Sequence, residues 1–180
     1  MATPDEIRIQ AQTLSGTPVD KSTALIWIQE QIRTLVYDHF RACDYVIEKI
    51  QISEDGGDYS PERTIVVLDR VINGNGYKYR GWTLNKNVIT FENAGAYTIK
   101  YYAMPIIPAT SSTTIDMPDP YVSALKYFLA SRIRARYMGQ NDVNAVSFFE
   151  EYSSALKNAD IVMKRMTSRH KTMPPGRRTL

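Results

Sequence analysis

The sequence predicts an α+β protein, in which a helical bundle carries an inserted small antiparallel β-sheet or sandwich and ends in an extended basic tail. Two observations carry this prediction. Apolar residues recur every three or four positions before Tyr45, alternate in steps of two as far as Ala103, and return to helical spacing after Pro120. Residues 73–76, Asn-Gly-Asn-Gly, lie inside the alternating part, and Asn-Gly pairs favour the tight turns of β-hairpins.

Residues 1–44 are predicted to form N-terminal helices. The first helix covers residues 5–14, with Pro4 near its start and a break at residues 15–18. The second helix begins at a cap on Asp20 or Ser22 and fades at residues 41–44. Its buried stripe consists of Leu25, Ile28, Ile32, Leu35 or Val36, and Phe40.

The inserted β region is predicted at residues 45–104 and contains five short strands. The expected strands are 45–52, 64–71, 77–83, 87–91 and 96–103. Residues 54–58, Glu-Asp-Gly-Gly-Asp, are a turn by composition. Short strands at this spacing, separated by turn residues, are typical of an antiparallel sheet or sandwich.

A helical hairpin is predicted at residues 117–166. Asp119 caps its first helix, with Pro120 at the first helical position, where the missing amide hydrogen costs nothing. Gly139 ends this helix and Asn141 caps the next one. The buried side of the first helix is predicted to contain Val122, Leu125, Phe128, Leu129 and Ile133.

The second helix of the hairpin has the most regular apolar stripe in the chain, which is Ala145, Phe149, Tyr152, Leu156, Ala159, Met163 and Met166. A stripe with steps of four and three requires a partner helix along its length. We expect it to pack on the preceding helix. Past Ala159 it is expected to outrun that helix and to pack on another chain.

Charge is concentrated at the C-terminus. Residues 159–180 contain six basic residues and one acidic residue, a net charge of +5, so the overall charge of +3 leaves −2 for the rest of the chain. Residues 167–180, with a Met-Pro-Pro-Gly run, are predicted to be a flexible basic tail. The candidate residues for docking on a partner are Lys164, Arg165, Arg169, Lys171, Arg177 and Arg178.

No group of residues predicts an enzyme, a metal site or a cofactor site. The two histidines, His39 and His170, lie far apart, and Cys43 is the single cysteine, which excludes a disulfide framework and a cysteine-based zinc cluster. No apolar run approaches the roughly 20 residues that cross a bilayer. The N-terminus lacks the pattern of a signal peptide, so we do not expect export by that route.

Two surfaces remain open to more than one interpretation. Arg132, Arg134 and Arg136 are either a solvated helix face or contacts to a neighbouring subunit or to DNA phosphates. The tyrosines of the β region are common where a sheet meets a partner, but a sugar- or base-stacking surface uses the same residue type. These tyrosines are Tyr59, Tyr77, Tyr79, Tyr97, Tyr101 and Tyr102.

The order of elements resembles the head-to-tail adaptor (connector) proteins of tailed bacteriophages over about residues 20–160. The strand at residues 95–105 leads through a polar loop to Met-Pro-Asp-Pro-Tyr at residues 117–121, then Ala124-Leu125 and Ala130-Ser131-Arg132. The Gly-Gln-Asn-Asp break at residues 139–142 and the aromatic-rich start of the last helix are similar to that family as well.

The resemblance implies a structural virion protein at the capsid–tail junction, made in the host cytoplasm. Members of that family form a ring, usually of twelve copies, beneath the portal protein. The ring extends the channel through which double-stranded DNA passes and carries the next neck or tail protein. In related adaptors the C-terminal segment often docks on the portal, which would give the basic arm here its role.

Three alternatives remain. The tubular tail proteins of short-tailed phages have a similar plan. A nucleic-acid-binding protein would use the basic arm and the three arginines at residues 132–136, and its affinity would fall steeply with salt. An enzyme or carbohydrate-binding module on the tyrosine-rich sheet comes last, because no catalytic set converges.

Overall fold

The computed structural model describes the backbone of residues 2–171 and the side chains of residues 2–166. Contacts divide the chain into two compact units. The helical unit combines residues 2–32 with the chain from residue 106 onward, and the sheet unit covers Arg33–Pro105. The predicted β region, 45–104, therefore lies in a unit that also contains the end of the second helix.

The described chain is an α+β fold, with helices at both ends and two antiparallel sheets between them. The helices are α1 (Pro4–Ser15), α2 (Lys21–Asp38), α3 (Asp119–Met138) and α4 (Val143–Lys171), and a short 3-10 turn covers Phe40–Ala42. The strands are β1 (Asp44–Ile52), β2 (Asp58–Tyr59), β3 (Ile65–Asn73), β4 (Lys78–Tyr79), β5 (Trp82–Asn85), β6 (Val88–Phe91) and β7 (Gly95–Ala103).

Local side-chain hydrogen bonds fix the starts of the first two helices. The Thr3 hydroxyl accepts from the Glu6 amide, and the Glu6 carboxylate accepts from the Thr3 amide, which is a complete capping box. Gly16 ends α1 in the left-handed region, at φ 66°. The Asp20 carboxylate accepts from the Thr23 amide at 2.8 Å, so Asp20 caps α2.

The sheet unit contains two sheets that share one core. Their strand orders are β1-β7-β3-β4 and β2-β6-β5, and all pairs are antiparallel. Phe91 of β6 packs against Tyr97 of β7, with ring centroids 4.5 Å apart, so the aromatic rings join the two sheets. The core contains Ile52, Val71, Ile89, Phe91, Tyr97, Ile99, Tyr101 and Ala103.

Seven strands are present in the described residues, where five were expected. The expected strand at residues 77–83 is divided into β4 and β5, which are separated by residues 80–81. A Cβ atom added at Gly81 would lie 2.4 Å from the Tyr79 hydroxyl and 2.6 Å from the Glu92 carboxylate, so a larger residue there would displace these side chains. The additional strand, β2, has two residues and pairs with β6.

In the helical unit, α3 packs against α1 and α4. All five residues predicted for the buried side of α3 are buried. Two predicted caps are wrong. The N-cap position of α3 is Pro118, whose carbonyl accepts from the Tyr121 and Val122 amides, and Asp119 is the first residue of the helix. Asp142, not Asn141, caps α4, since its carboxylate accepts from the Ala145 amide.

Helix α4 is the longest element and extends past the predicted end of the hairpin at residue 166 to Lys171. The interval 172–180, most of the predicted flexible tail, lies outside the described residues. Within the described chain, every helix is too short or too polar to cross a membrane.

Candidate functional site

A salt bridge between Arg134 and Asp142 holds the connection between α3 and α4 in place. Arg134 donates from Nε to Asp142 Oδ1 at 3.1 Å and from Nη2 to Asp142 Oδ2 at 2.8 Å. These bonds hold the pKa of the Asp142 carboxyl below its ordinary value. The Ser131 hydroxyl also donates to the Ala145 carbonyl at 2.7 Å. Arg134 is thus engaged in fixing the hairpin connection.

Arg132 and Arg136 lie one turn apart on α3, on a different side of the helix from Arg134. Both guanidinium carbons are 5.4 Å from the centre of the Trp27 ring on α2. The indole beneath them is only 9% exposed, whereas both arginines are exposed. The structure therefore brings together two of the three predicted arginines and presents them as a pair on an aromatic surface.

The two arginines differ in their acidic neighbours. Arg132 Nη2 lies 3.5 Å from the Glu30 carboxylate, and both side chains are about half exposed, at 47% and 53%. Such an exposed pair is easily exchanged for another partner. Among the residues the structure describes, Arg136 has no acidic partner and contacts the rings of Trp27 and Tyr137.

A cleft of about 660 Å³ opens beside this arginine pair. Its lining includes both arginines, Trp27, Phe128, Gln140 and Phe149. Among the described residues that form this lining, none is acidic. A concave site with two fork-shaped cations and aromatic walls fits a carboxylate or another planar anion.

Phe149 forms the outer wall of the cleft and is 54% exposed. Phe149 is predicted to belong to the apolar stripe that packs on α3. Because more than half of its side chain is exposed, that prediction is wrong for this residue. Tyr152 is buried behind it, with ring centroids 6.1 Å apart. The Tyr152 hydroxyl accepts from Gln31 Nε2 at 2.7 Å, which anchors α4 to α2 at this level.

The far part of α4 has a second exposed apolar surface. Ala159 is buried, and the Tyr121 hydroxyl donates to Asp160 Oδ1 at 2.5 Å. Beyond this point Ile161, Val162 and Met166 are exposed. A helix that continues past its packing partner in this way leaves an apolar surface available for another chain.

The predicted docking residues lie at and beyond this end of α4. Lys164 and Arg165 are exposed on the helix. Arg169 and Lys171 belong to the helical backbone, and their side chains lie outside the described set. Arg177 and Arg178 lie wholly outside the described residues.

The tyrosines of the sheet unit do not form one exposed stacking surface. Tyr97 and Tyr101 are buried in the core, and Tyr77 is exposed at the turn between β3 and β4. The Tyr59 and Tyr101 hydroxyls both donate to the Glu48 carboxylate. Burial, followed by the Glu48 bond, raises the pKa of Tyr59 to about 12. These tyrosines mainly hold the sheets together.

The groups that most often carry chemistry are not assembled in the described chain. Within the described residues, no cluster of three or more His, Cys, Asp or Glu side chains could hold a metal ion. Cys43 is buried, and this burial raises the pKa of its thiol to about 12, which disfavours the reactive thiolate.

Sequence reasoning missed Trp27 and the cleft. Trp27 lies beside Ile28 of the predicted stripe on α2, but no local pattern indicates which residues of α3 cover it. The spacing of four between Arg132 and Arg136 was the available signal, because it places both on one side of a helix.

No protein-family model matches this chain, and a search of the curated proteins found no significant match. The function of this chain is therefore inferred from the surfaces described above and from the resemblance in element order.

Proposed function

We propose that this chain is a structural virion protein, a head-to-tail adaptor that assembles as a ring below the portal of a tailed bacteriophage. In this role it extends the DNA channel, binds the portal protein and carries the next neck or tail protein. It acts without catalytic chemistry. The proposal includes location at the capsid–tail junction after synthesis in the host cytoplasm.

The chain layout is the observation that carries this proposal. The helical unit is formed from both ends of the chain, and the sheet unit is inserted between them. Hydrogen bonds join the two ends: the Asp5 amide donates to the Ser111 carbonyl at 3.0 Å, and the Ile115 amide donates to the Ala2 carbonyl at 3.0 Å. This layout agrees with the bundle and inserted β region that the family resemblance implies.

The surface of α4 supports assembly as the mode of action. Its first turns expose Val143, Val146 and Phe149, and its far part exposes Ile161 and Met166. Large exposed apolar residues along one helix are typical of surfaces that other protein chains cover. A closed ring requires two different surfaces on each subunit, so two exposed regions on a long helix suit this architecture.

The decisive experiment mixes the purified chain with the portal ring of the same phage and measures the complex by native mass spectrometry. The proposal predicts a portal mass increased by a whole number of 20.5 kDa subunits. Purified virions should contain the chain as well. Virions that lack it, or a portal ring that never binds it, would refute the proposal.

A truncation after Met166 separates the docking surface from the fold. We expect the shortened chain to keep the far-UV circular dichroism of the full chain and to bind the portal more weakly, because it loses Arg169, Lys171, Arg177 and Arg178. A truncated chain that unfolds would instead mean that the removed segment belongs to the core.

The exposed Lys164 and Arg165 favour one second candidate, a nucleic-acid-binding protein that uses the basic arm. That function predicts DNA affinity that falls steeply as salt increases. Fluorescence anisotropy with labelled duplex DNA at low salt tests it, and absence of binding there removes it.

A further inference from the structure

The chain also carries an acidic segment, whose charge is opposite to that of the arginine pair in the cleft. Residues 53–62 contain four acidic residues and no lysine or arginine. These are Glu54, Asp55, Asp58 and Glu62, and all four are exposed. The segment joins β1 to β2 and β2 to β3 in the sheet unit.

The acidic segment is held in shape by bonds to neutral groups. Asp55 Oδ1 accepts from the Ala94 amide at 2.8 Å, and Asp58 Oδ1 accepts from the Thr90 hydroxyl at 2.6 Å. Among the described residues, none of the four carboxylates has a cationic partner. An ordered segment with unneutralised carboxylates loses little conformational entropy when it binds.

Many other acidic residues of the described chain already have partners. Asp5 binds Arg8 and Lys21, and Asp142 binds Arg134. In the sheet unit, Asp44 pairs with Arg63, and Asp69 pairs with Arg70. This distribution singles out residues 53–62 as a dense group of available carboxylates.

We propose that the cleft lined by Trp27, Arg132, Arg136 and Phe149 binds the acidic segment 53–62 of a second copy of this chain. This inference rests on the proposed function, because a ring joins two different surfaces of neighbouring subunits. The guanidinium groups of Arg132 and Arg136 donate paired hydrogen bonds to the carboxylates, and the incoming copy covers the exposed ring of Phe149.

Duplex DNA is a poorer occupant of the same cleft. Among the described residues that line the cleft none is acidic, but its rim carries Glu30, whose carboxylate lies 3.5 Å from Arg132 Nη2. A duplex presents a broad row of phosphates that would meet this rim. A narrow loop that enters the cleft contacts the cationic lining instead.

Charge reversal on each surface tests the proposal. One variant carries Arg132→Glu and Arg136→Glu. The other carries Glu54→Lys and Glu62→Lys, chosen because both of these glutamates are exposed. Self-association of the full chain is measured by sedimentation velocity at low salt and by counting copies on the portal ring. Each variant alone should associate about thirtyfold or more weakly than the original chain. Mixing the two variants should restore association.

Two controls separate charge from folding. Arg33→Glu with Lys157→Glu changes the net charge equally on exposed positions outside the cleft, and it should associate normally. Arg132→Gln with Arg136→Gln removes the cations without repelling Glu30, and it should also weaken association. Circular dichroism verifies that every variant is folded.

The outcomes distinguish this proposal from the proposed function. Normal rings formed by both reversal variants on the portal would overturn the cleft assignment and leave the adaptor function intact. A second mixture tests for another contact between copies. If the arginine variant is rescued by a variant carrying Glu150→Lys and Glu151→Lys, and not by the 53–62 variant, the cleft binds α4 of a second copy in a two-fold arrangement, which would overturn the proposal. Loss of DNA or portal binding with unchanged self-association would overturn it as well. A chain that never binds the portal would refute the adaptor function itself.

Discussion

Replacing Arg132 and Arg136 together with alanine should weaken the fold only moderately. Each arginine contributes about 0.5–1 kcal/mol through its contact with the Trp27 ring. The exposed pair between Arg132 and Glu30 contributes about 0.2–1 kcal/mol. The total loss is then about 1–3 kcal/mol, which lowers the melting temperature of a chain of this size by about 2–12 °C.

Urea unfolding followed by far-UV circular dichroism measures this loss. Tryptophan fluorescence in a Trp82→Phe background, which leaves Trp27 as the single tryptophan, reports the cleft directly. Emission from Trp27 should shift to longer wavelength in the double-alanine variant, because the indole loses its cover. Arg33→Ala on the exposed side of α2 is the matched control and should change stability by no more than about 0.5 kcal/mol.

Two results would refute this reasoning. A loss of more than about 5 kcal/mol, which is the range of deleting a large buried side chain, would mean that the arginines belong to the core and not to a surface. Unchanged stability with unchanged Trp27 emission would mean that the guanidinium groups do not cover the indole in solution.

Three further perturbations test the framework around the site. Gly139→Ala should cost about 1–3 kcal/mol in urea unfolding, because φ is +100° there, whereas Gly74→Ala places its new carbon in ordinary contact and should cost less. Leu125→Ala, at a fully buried position of α3, should lower the unfolding free energy by about 2–5 kcal/mol. The raised pKa of Tyr59 adds stability that is fully present below the ordinary pKa of 10 and is lost as the pH rises to about 12. Unfolding measured across that range should show a smaller decline in Tyr59→Phe, and an identical decline would contradict the assignment.

The fold class follows from local patterns in the sequence. The changes of apolar period near Tyr45 and Pro120 separate helices from strands, because each type of element buries a different repeat. Gly139 ends α3 with positive φ, as its residue type predicts. The turn at residues 73–76 connects β3 to β4, where the Asn-Gly pattern placed a hairpin.

The features of the fold that local sequence patterns do not predict depend on contacts between residues that are far apart in the sequence. Asp142 caps α4 in place of Asn141 because Arg134, eight residues earlier, binds its carboxylate. The packing of the two sheets on one core depends on the contact of Phe91 with Tyr97, which lie in different sheets. The apolar stripe on α4 indicates that its residues lie on one side of the helix. It does not indicate whether a partner covers Phe149 on that side.

The candidate site was only partly predictable for the same reason. The closeness of the three arginines at residues 132–136 on a predicted helix singles them out in the sequence, and helical geometry separates Arg134 from the other two. Their contact with Trp27 requires the packing of α2 against α3, about a hundred residues apart, which no local pattern encodes.

Native mass spectrometry of the full chain, mixed with the portal ring of the phage proposed as its source, tests most directly whether this chain works by assembling. The proposed function predicts a complex in which many copies of the 20.5 kDa chain are bound to one portal ring. A portal ring of unchanged mass beside chains that remain at 20.5 kDa would contradict it.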